Sequence, residues 1–430
     1  MPKALQIEIQ KHSQDREHYR NITQRTLLNL WWSIVGEGIS RGIFFLSSIY
    51  LARTLGVSNF GLFTLAQTVA IYFWLFSDLG INMYGIREIA KDKKNAEKII
   101  NPLFTIRITI GMIIFLLYVF ALSLINISLI KKLTFIGCGL YIITYAFYPE
   151  WILKGLEKFK LAAYGIFVTS LFFILGLLFF IKDNKDIPLS ALIWSLSYGV
   201  GGILLFCCIY KKIHIKYKPI FNLRVWFNHL RDSVYFTTSA GLILLYQYLP
   251  IFLLSIFFDT YEVGLFSAPY KIVTSISIGG SIILMAFYPV FSDLYHKDRE
   301  EFKKIHRTSQ KIILSIGISI GIVGILWGDK IINLFFGIQY AQSALGFSIL
   351  ILVVPVTYLR YTYGMAILAM GFQRAHNIAT FIGVLCMCIS GLFLIPKFSI
   401  VGGAISVLLS EIATGGSLAI IFYNKLSIRK

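Results

Sequence analysis

Apolar residues in this chain gather into long stretches, and the polar positions collect in short intervals between them. Twelve such stretches run over residues 28–51, 60–83, 102–127, 133–153, 161–181, 189–210, 233–257, 263–289, 310–328, 342–363, 376–396 and 400–423. Each is near the ~20 residues that a helix needs to cross the hydrocarbon core of a bilayer. Backbone polar groups in that core must be satisfied within their own segment, so the pattern predicts an all-α integral membrane protein with twelve transmembrane helices. Two pairs, 28–51 with 60–83 and 376–396 with 400–423, are separated by only a few residues.

The pattern also repeats. Phe60-Gly61-Leu62-Phe63-Thr64 aligns with Val263-Gly264-Leu265-Phe266-Ser267 at an offset of 203 residues, and Gly155-Leu156-Glu157-Lys158 aligns with Gly371-Phe372-Gln373-Arg374 at an offset of 216. Both matches join span n to span n + 6, which makes the repeat unit six helices. Six is even, so both copies keep one orientation and are related by an axis along the membrane normal. The predicted organisation is a polar tail at 1–26, a six-helix lobe at 27–215, a linker at 216–232 and a second six-helix lobe at 233–430.

Composition agrees: 57% of residues are hydrophobic and 14% are charged, against about a quarter charged in soluble domains. The net charge of +19 would suit a nucleic-acid partner if it lay on one soluble face. Instead the charges sit between apolar runs, which argues against nucleic acid. With the N-terminus placed inside, inner segments hold 30 of the 40 Lys and Arg residues and outer segments hold 7, while Arg41, Arg107 and Lys271 lie within spans. That bias predicts cytoplasmic termini. No signal peptide precedes the first span, so that helix is expected to be retained and the tail cytoplasmic. Cys138, Cys207, Cys208, Cys386 and Cys388 show neither metal spacing nor a disulfide framework, so neither metal nor cofactor is expected. No nucleotide-binding or nucleophile motif occurs, and no loop exceeds about two dozen residues, which leaves no room for a catalytic domain.

Charges within the bilayer are costly, about 2.5–3.5 kcal/mol each on insertion scales, and therefore mark interior cavities or partners. Arg41 lies near the middle of the first span with Glu37 one helical turn before it. It either lines a cavity and binds an anionic head group, or neutralises Glu37 and stabilises packing. Lys271 shares a side of the eighth span with Ser267, Thr274, Ser275 and Ile278. It either faces a cavity or snorkels to the outer surface. Glu411, central in the last span, has no cation near it in sequence; it is protonated, pairs across helices or couples an ion. Glu37 carries the same choice between ion coupling and structural pairing. Arg107 is expected to snorkel, Asp78 to cap a turn or meet Arg87 at an inner gate, and Glu150 to follow a kink at Pro149.

The text YLARTLG, FGLF, SDLGIN and REIAKD between Tyr50 and Asp92 resembles the Wzx-type polysaccharide flippase family, which translocates O-antigen and capsule repeat units. VGLFSAPYKI and YPVFSDLY resemble the start of that family's second half, and GLEKF and GFQRA its short inner turns. The resemblance implies the MATE/MOP-like fold, two six-helix lobes around a central and often cationic cavity. It further implies a bacterial inner-membrane transporter, not an enzyme, that carries undecaprenyl-pyrophosphate-linked oligosaccharide to the periplasmic leaflet. A polysaccharide polymerase and a chain-length regulator would be its partners. Alternating access by rocking lobes, with H⁺ or Na⁺ coupling left open, is the expected mechanism. Arg41 and Lys271 are the expected substrate-binding cations, chosen by depth and helical face and not by a family motif. A drug or small-cation antiporter of the same superfamily is the alternative, and a membrane polymerase or ligase the third reading.

Overall fold

The computed structural model describes the backbone of residues 3–285 and 287–427. Sixteen α-helices occur among them, and ten helical segments are long and apolar enough to cross a bilayer. Two of the ten hold the predicted close pairs. Ile34–Asp78 runs 45 residues and Gln373–Ser427 runs 55. At 1.5 Å per residue these are roughly 68 and 82 Å long, more than twice the ~30 Å hydrocarbon core. Each is broken once: α1 (Lys3–Asp78) at Gly56, φ 75° and ψ 173°, and the last helix, Gln373–Ser427, at Ser399, φ 48° and ψ −123°. The predicted turns are therefore single-residue breaks in otherwise continuous helices.

Local sequence explains the other departures. The span predicted to end at residue 83 stops at Asp78, because Leu79 (φ 43°) and Gly80 (φ 75°) both take left-handed backbone before α2 (Ile81–Lys91). A side chain at Gly80 would strike the Ser233 carbonyl at 2.3 Å, so only glycine lets this turn close against the later chain. Beyond α3 (Ala96–Leu124), the span predicted at 133–153 is three short helices, α4 (Leu129–Gly139), α5 (Tyr141–Ala146) and α6 (Glu150–Gly155). The second break falls at Phe147–Pro149, where proline removes a helical donor. The first half continues through α7 (Phe159–Phe180) and α8 (Ile187–Cys208). The second half comprises α9 (Leu223–Phe257), α10 (Thr260–Met285), α11 (Tyr288–Lys297), α12 (Arg299–Leu326), α13 (Gly328–Phe336), α14 (Ala344–Leu350), α15 (Val353–Ala369) and α16 (Gln373–Ser427). α1 packs on α7 within the first half and on α10 across the halves, while α16 packs on α15 and α9.

The α1–α10 contact has the symmetry of the repeat. A Cβ on Gly61 would lie 1.9 Å from the Thr260 carbonyl oxygen, and a Cβ on Gly264 would lie 2.1 Å from the Val57 carbonyl oxygen. Gly61 and Gly264 correspond at the offset of 203, and so do Val57 and Thr260. Each copy therefore makes to the other the contact it receives, and helix backbones touch where no side chain fits. The second repeat match needs a two-residue correction. Lys158 N–H returns to Leu153 O at 2.8 Å around left-handed Glu157, and Phe372 N–H returns to Ile367 O at 3.0 Å around left-handed Gly371. These equivalent helix ends are offset by 214 residues, not 216. Aligning glycine with glycine misses this, because Glu157 holds in the first copy the conformation that glycine holds in the second.

The predicted linker at 216–232 is shorter, since α9 begins at Leu223. Its extended part lies along α3. The amides of Lys216, Lys218 and Ile220 donate to Glu97 Oε1 (3.3 Å), Asn101 Oδ1 (3.1 Å) and Thr105 Oγ1 (3.1 Å). Two extended residues advance about 6.7 Å and four helical residues about 6 Å, so alternate amides keep step with an i, i+4, i+8 stripe of acceptors. The double substitution Asn101→Leu/Thr105→Val is expected to speed amide hydrogen exchange at 216–220 about tenfold, the loss of one or two net hydrogen bonds. Unchanged exchange there would show that the stripe does not hold the strap.

Candidate functional site

Two adjoining compartments, of about 320 and 480 Å³, open between α1, α6, α7, α8, α9, α10, α15 and α16. Glu37, Arg41, Gln247, Tyr270, Thr274 and Ile278 line both, so they form one chamber with a waist. The breaks and close packing described above put charged side chains on its walls.

On the first-half wall, Arg41 Nη2 lies 3.5 Å from Glu37 Oε2, and both side chains are about half exposed to the chamber. Glu37 also lies 3.6 Å from Lys154 Nζ, which in turn lies 2.8 Å from Glu150 Oε1. Arg41, Glu37, Lys154 and Glu150 thus form a chain of alternating sign with no net charge. The pairing expected for Arg41 and its position on a cavity wall occur together.

On the other wall, Arg360 Nε meets Glu411 Oε2 at 2.7 Å. Arg360 also lies 4.6 Å from the Tyr361 ring centroid and 5.7 Å from that of Tyr246. Glu411 therefore pairs across helices. Its partner sits outside the sequence expectation, which ended the tenth span at 363 and so put Arg360 at an inner edge. α15 continues to Ala369, which moves Arg360 to the middle of the helix.

Lys271 differs from every other cation on these walls. It lines the larger compartment, with Nζ 5.6 Å from the Phe60 ring centroid. Among the described residues no carboxylate oxygen comes within 4.0 Å of it. The three wall carboxylates are all engaged by Arg41, Lys154 and Arg360, so the chamber carries one net positive charge, located at Lys271.

Asp78, Arg87 and Arg107 lie elsewhere. Arg107 does not snorkel: it is 1% exposed, its Nε lies 3.7 Å from Asp78 Oδ1, and it donates to the Tyr145 carbonyl at 3.0 Å. Asp78 therefore meets Arg107 on the neighbouring α3, and not Arg87. The left-handed turn at Leu79–Gly80 carries Arg87 past it onto the exposed side of α2, where it lies 3.9 Å from Glu88 and 5.7 Å from the Phe236 ring centroid. The inner-gate pairing of Asp78 with Arg87 is thus replaced by a buried Asp78–Arg107 pair.

Sequence reasoning missed Lys154, Arg360 and the tyrosines at 246, 270 and 361. Lys154 was visible as one of three cations in a short loop, and only its i+4 spacing from Glu150 hinted at inward pairing. The tyrosines carried no signal among the 24 in the chain.

The profile of a family described as polysaccharide biosynthesis protein matches residues 27–295. The Escherichia coli (strain K12) protein called "Putative O-antigen transporter" is 22% identical over 408 residues, covering 93% of this chain and 97% of its own. Among solved structures, lipid II flippase MurJ in an inward closed conformation aligns with a TM-score of 0.71 at 16% identity, over 92% of this chain and 90% of that one. An inward-facing multidrug resistance MATE family transporter of the MOP superfamily aligns with a TM-score of 0.73 at 13% identity, over 92% and 98%. The profile spans more than half of the sequence and the folds superpose over nearly all of it: this multi-pass membrane chain belongs to the polysaccharide biosynthesis protein family and has the fold of the MOP superfamily transporters.

Proposed function

We propose that this protein is a flippase that moves undecaprenyl-pyrophosphate-linked oligosaccharide repeat units from the cytoplasmic to the periplasmic leaflet of a bacterial inner membrane. The observation that carries the reading is Lys271, a cation without a carboxylate partner in a chamber whose other charges are paired. Holding an unpaired charge away from bulk water is costly, and a diphosphate supplies the missing counter-charge through charge-assisted hydrogen bonds. Tyr246, Tyr270 and Tyr361 offer flat apolar faces with polar edges, a surface suited to sugar rings. The polyprenyl tail remains in lipid.

The reading includes twelve crossings in two parallel six-helix lobes, with Gly56 and Ser399 each separating two crossings and both termini cytoplasmic. The reciprocal Gly61–Gly264 contact supports the parallel repeat, and the Lys and Arg distribution supports the orientation. Access alternates as one lobe rocks on the other. The engaged state of Glu37 and Glu411 favours structural pairing over ion coupling. It also disfavours the drug or cation antiporter, which needs a free carboxylate for its cargo. No bond is made or broken; a polymerase and a chain-length regulator would act on the product across the membrane.

Deleting the gene is expected to remove surface glycan, leave lipid-linked repeat units accumulating on the cytoplasmic leaflet and leave drug susceptibility unchanged. Normal surface glycan with new drug sensitivity would favour the antiporter.

A further inference from the structure

At the end that the charge bias predicts as outer, the two halves of the chain meet through two helix ends. The last carbonyls of a helix lack intrahelical partners. The break at Gly56 gives the first part of α1 such an end, with Ala52 and Arg53 in its last turn. α13 ends the same way at Phe336, before Gly337 at φ 90°. Each end is capped by the other half of the chain. Arg53 Nε donates to the Phe335 carbonyl at 2.8 Å and its Nη2 donates to the Leu334 carbonyl. In return, Gln339 Nε2 donates to the carbonyls of Ala52 (3.3 Å) and Arg53 (3.4 Å), and the buried Tyr340 hydroxyl donates to Ala52 O at 3.2 Å.

The electrostatics favour this exchange. A helix C-terminus carries about half a negative charge, and Arg53 places a full positive charge over that of α13. The caps also adjoin the chamber. The Tyr340 ring stands edge-on to Phe60, centroids 6.3 Å apart, and Lys271 lies over the same Phe60. Five hydrogen bonds thus cross the seam between the halves, two of them from a charged donor to the end of a helix. Rocking that parts α1 from α13 and the turn at Ile338–Ser343 after it breaks all of them at once.

We propose that Arg53, Gln339 and Tyr340 form a latch that holds the outer seam of the chamber shut, and that its release is the step that opens the chamber outward. The proposal deepens the transport reading and rests on it for the meaning of outward, but its test reads access to the chamber and not the cargo.

The test places a reporter, Ser275→Cys on the chamber wall, in the full chain with Cys138, Cys207, Cys208, Cys386 and Cys388 replaced. Intact cells are treated from outside with a membrane-impermeant maleimide. Arg53→Ala is expected to raise the labelling rate about tenfold over the parent, the weight of a charge-assisted pair of bonds, with Arg53→Lys in between. Gln339→Ala/Tyr340→Phe, which leaves Arg53 in place, is expected to raise it severalfold and decides the matter if Arg53→Ala does not accumulate. Labelling equal to the parent in a variant present at the parent's level overturns the latch, as does full labelling in the parent itself. Surface glycan lost on gene deletion with labelling unmoved by these variants would remove the latch and leave the transport reading standing. Raised labelling with surface glycan intact on deletion would do the reverse.

Discussion

Replacing Lys271 with methionine is expected to leave the protein in the membrane at its normal level and to abolish surface glycan. Methionine keeps most of the stem and its packing on Phe60 and removes only the charge. Two unit charges 4 Å apart interact by about 4 kcal/mol at an effective dielectric of 20. After discounting for water in an open chamber, about 2–3 kcal/mol is left, or roughly 30- to 150-fold in affinity for a diphosphate. Lys271→Arg is expected to keep most of the activity, because the charge and the donors persist. The stability readout separates this from a packing role. No carboxylate is left unpaired when Lys271 goes, and the desolvation of an unpartnered cation is relieved. The detergent-solubilised Lys271→Met protein should therefore melt at or above the parent's temperature. A lowered melting temperature with glycan at the normal level would assign Lys271 to structure alone.

The opposite signature is expected at Glu411. Glu411→Ala leaves Arg360 buried without its carboxylate, and removing one partner of a buried pair costs about 3–5 kcal/mol. Thermal melting should show a large drop and the protein should accumulate poorly. Arg360→Met/Glu411→Leu removes both charges at once and is expected to recover most of that loss, since paired groups do not contribute additively. The two positions thus form a contrast: a cation whose loss harms only transport, and a carboxylate whose loss harms the fold first. Glu411→Ala melting like the parent would mean that the 2.7 Å contact to Arg360 contributes little.

The membrane class and the family were legible because both are written in contiguous text. Apolar runs of bilayer length stand out without any tertiary knowledge, and so does the hairpin text repeated around Gly61 and Gly264. The partners of the embedded charges were not legible, because they depend on where helices end and which faces meet. One misjudged terminus put Arg360 at the membrane edge and left Glu411 without a cation. One left-handed turn at Leu79–Gly80 sent Arg87 away from Asp78, and Arg107 arrived from α3 instead. Lys271 was found by its depth and its helical face. That it alone lacks a carboxylate depends on the engagement of Glu37, Glu150 and Glu411 across four helices, which no local pattern records.

The reciprocal contact between Gly61 and Gly264 is of the kind that two identical subunits make about a twofold axis. Were the two halves identical chains, one glycine would serve both sides and every cavity residue would come in duplicate. The position matching Lys271 at the same offset is Thr68, fully buried and bonded to the carbonyl of Thr64. A homodimer cannot carry a lysine at one of these places and a threonine at the other. Two copies in one reading frame are free of that constraint, and the unpaired cation of the chamber is an asymmetry that identical subunits cannot carry.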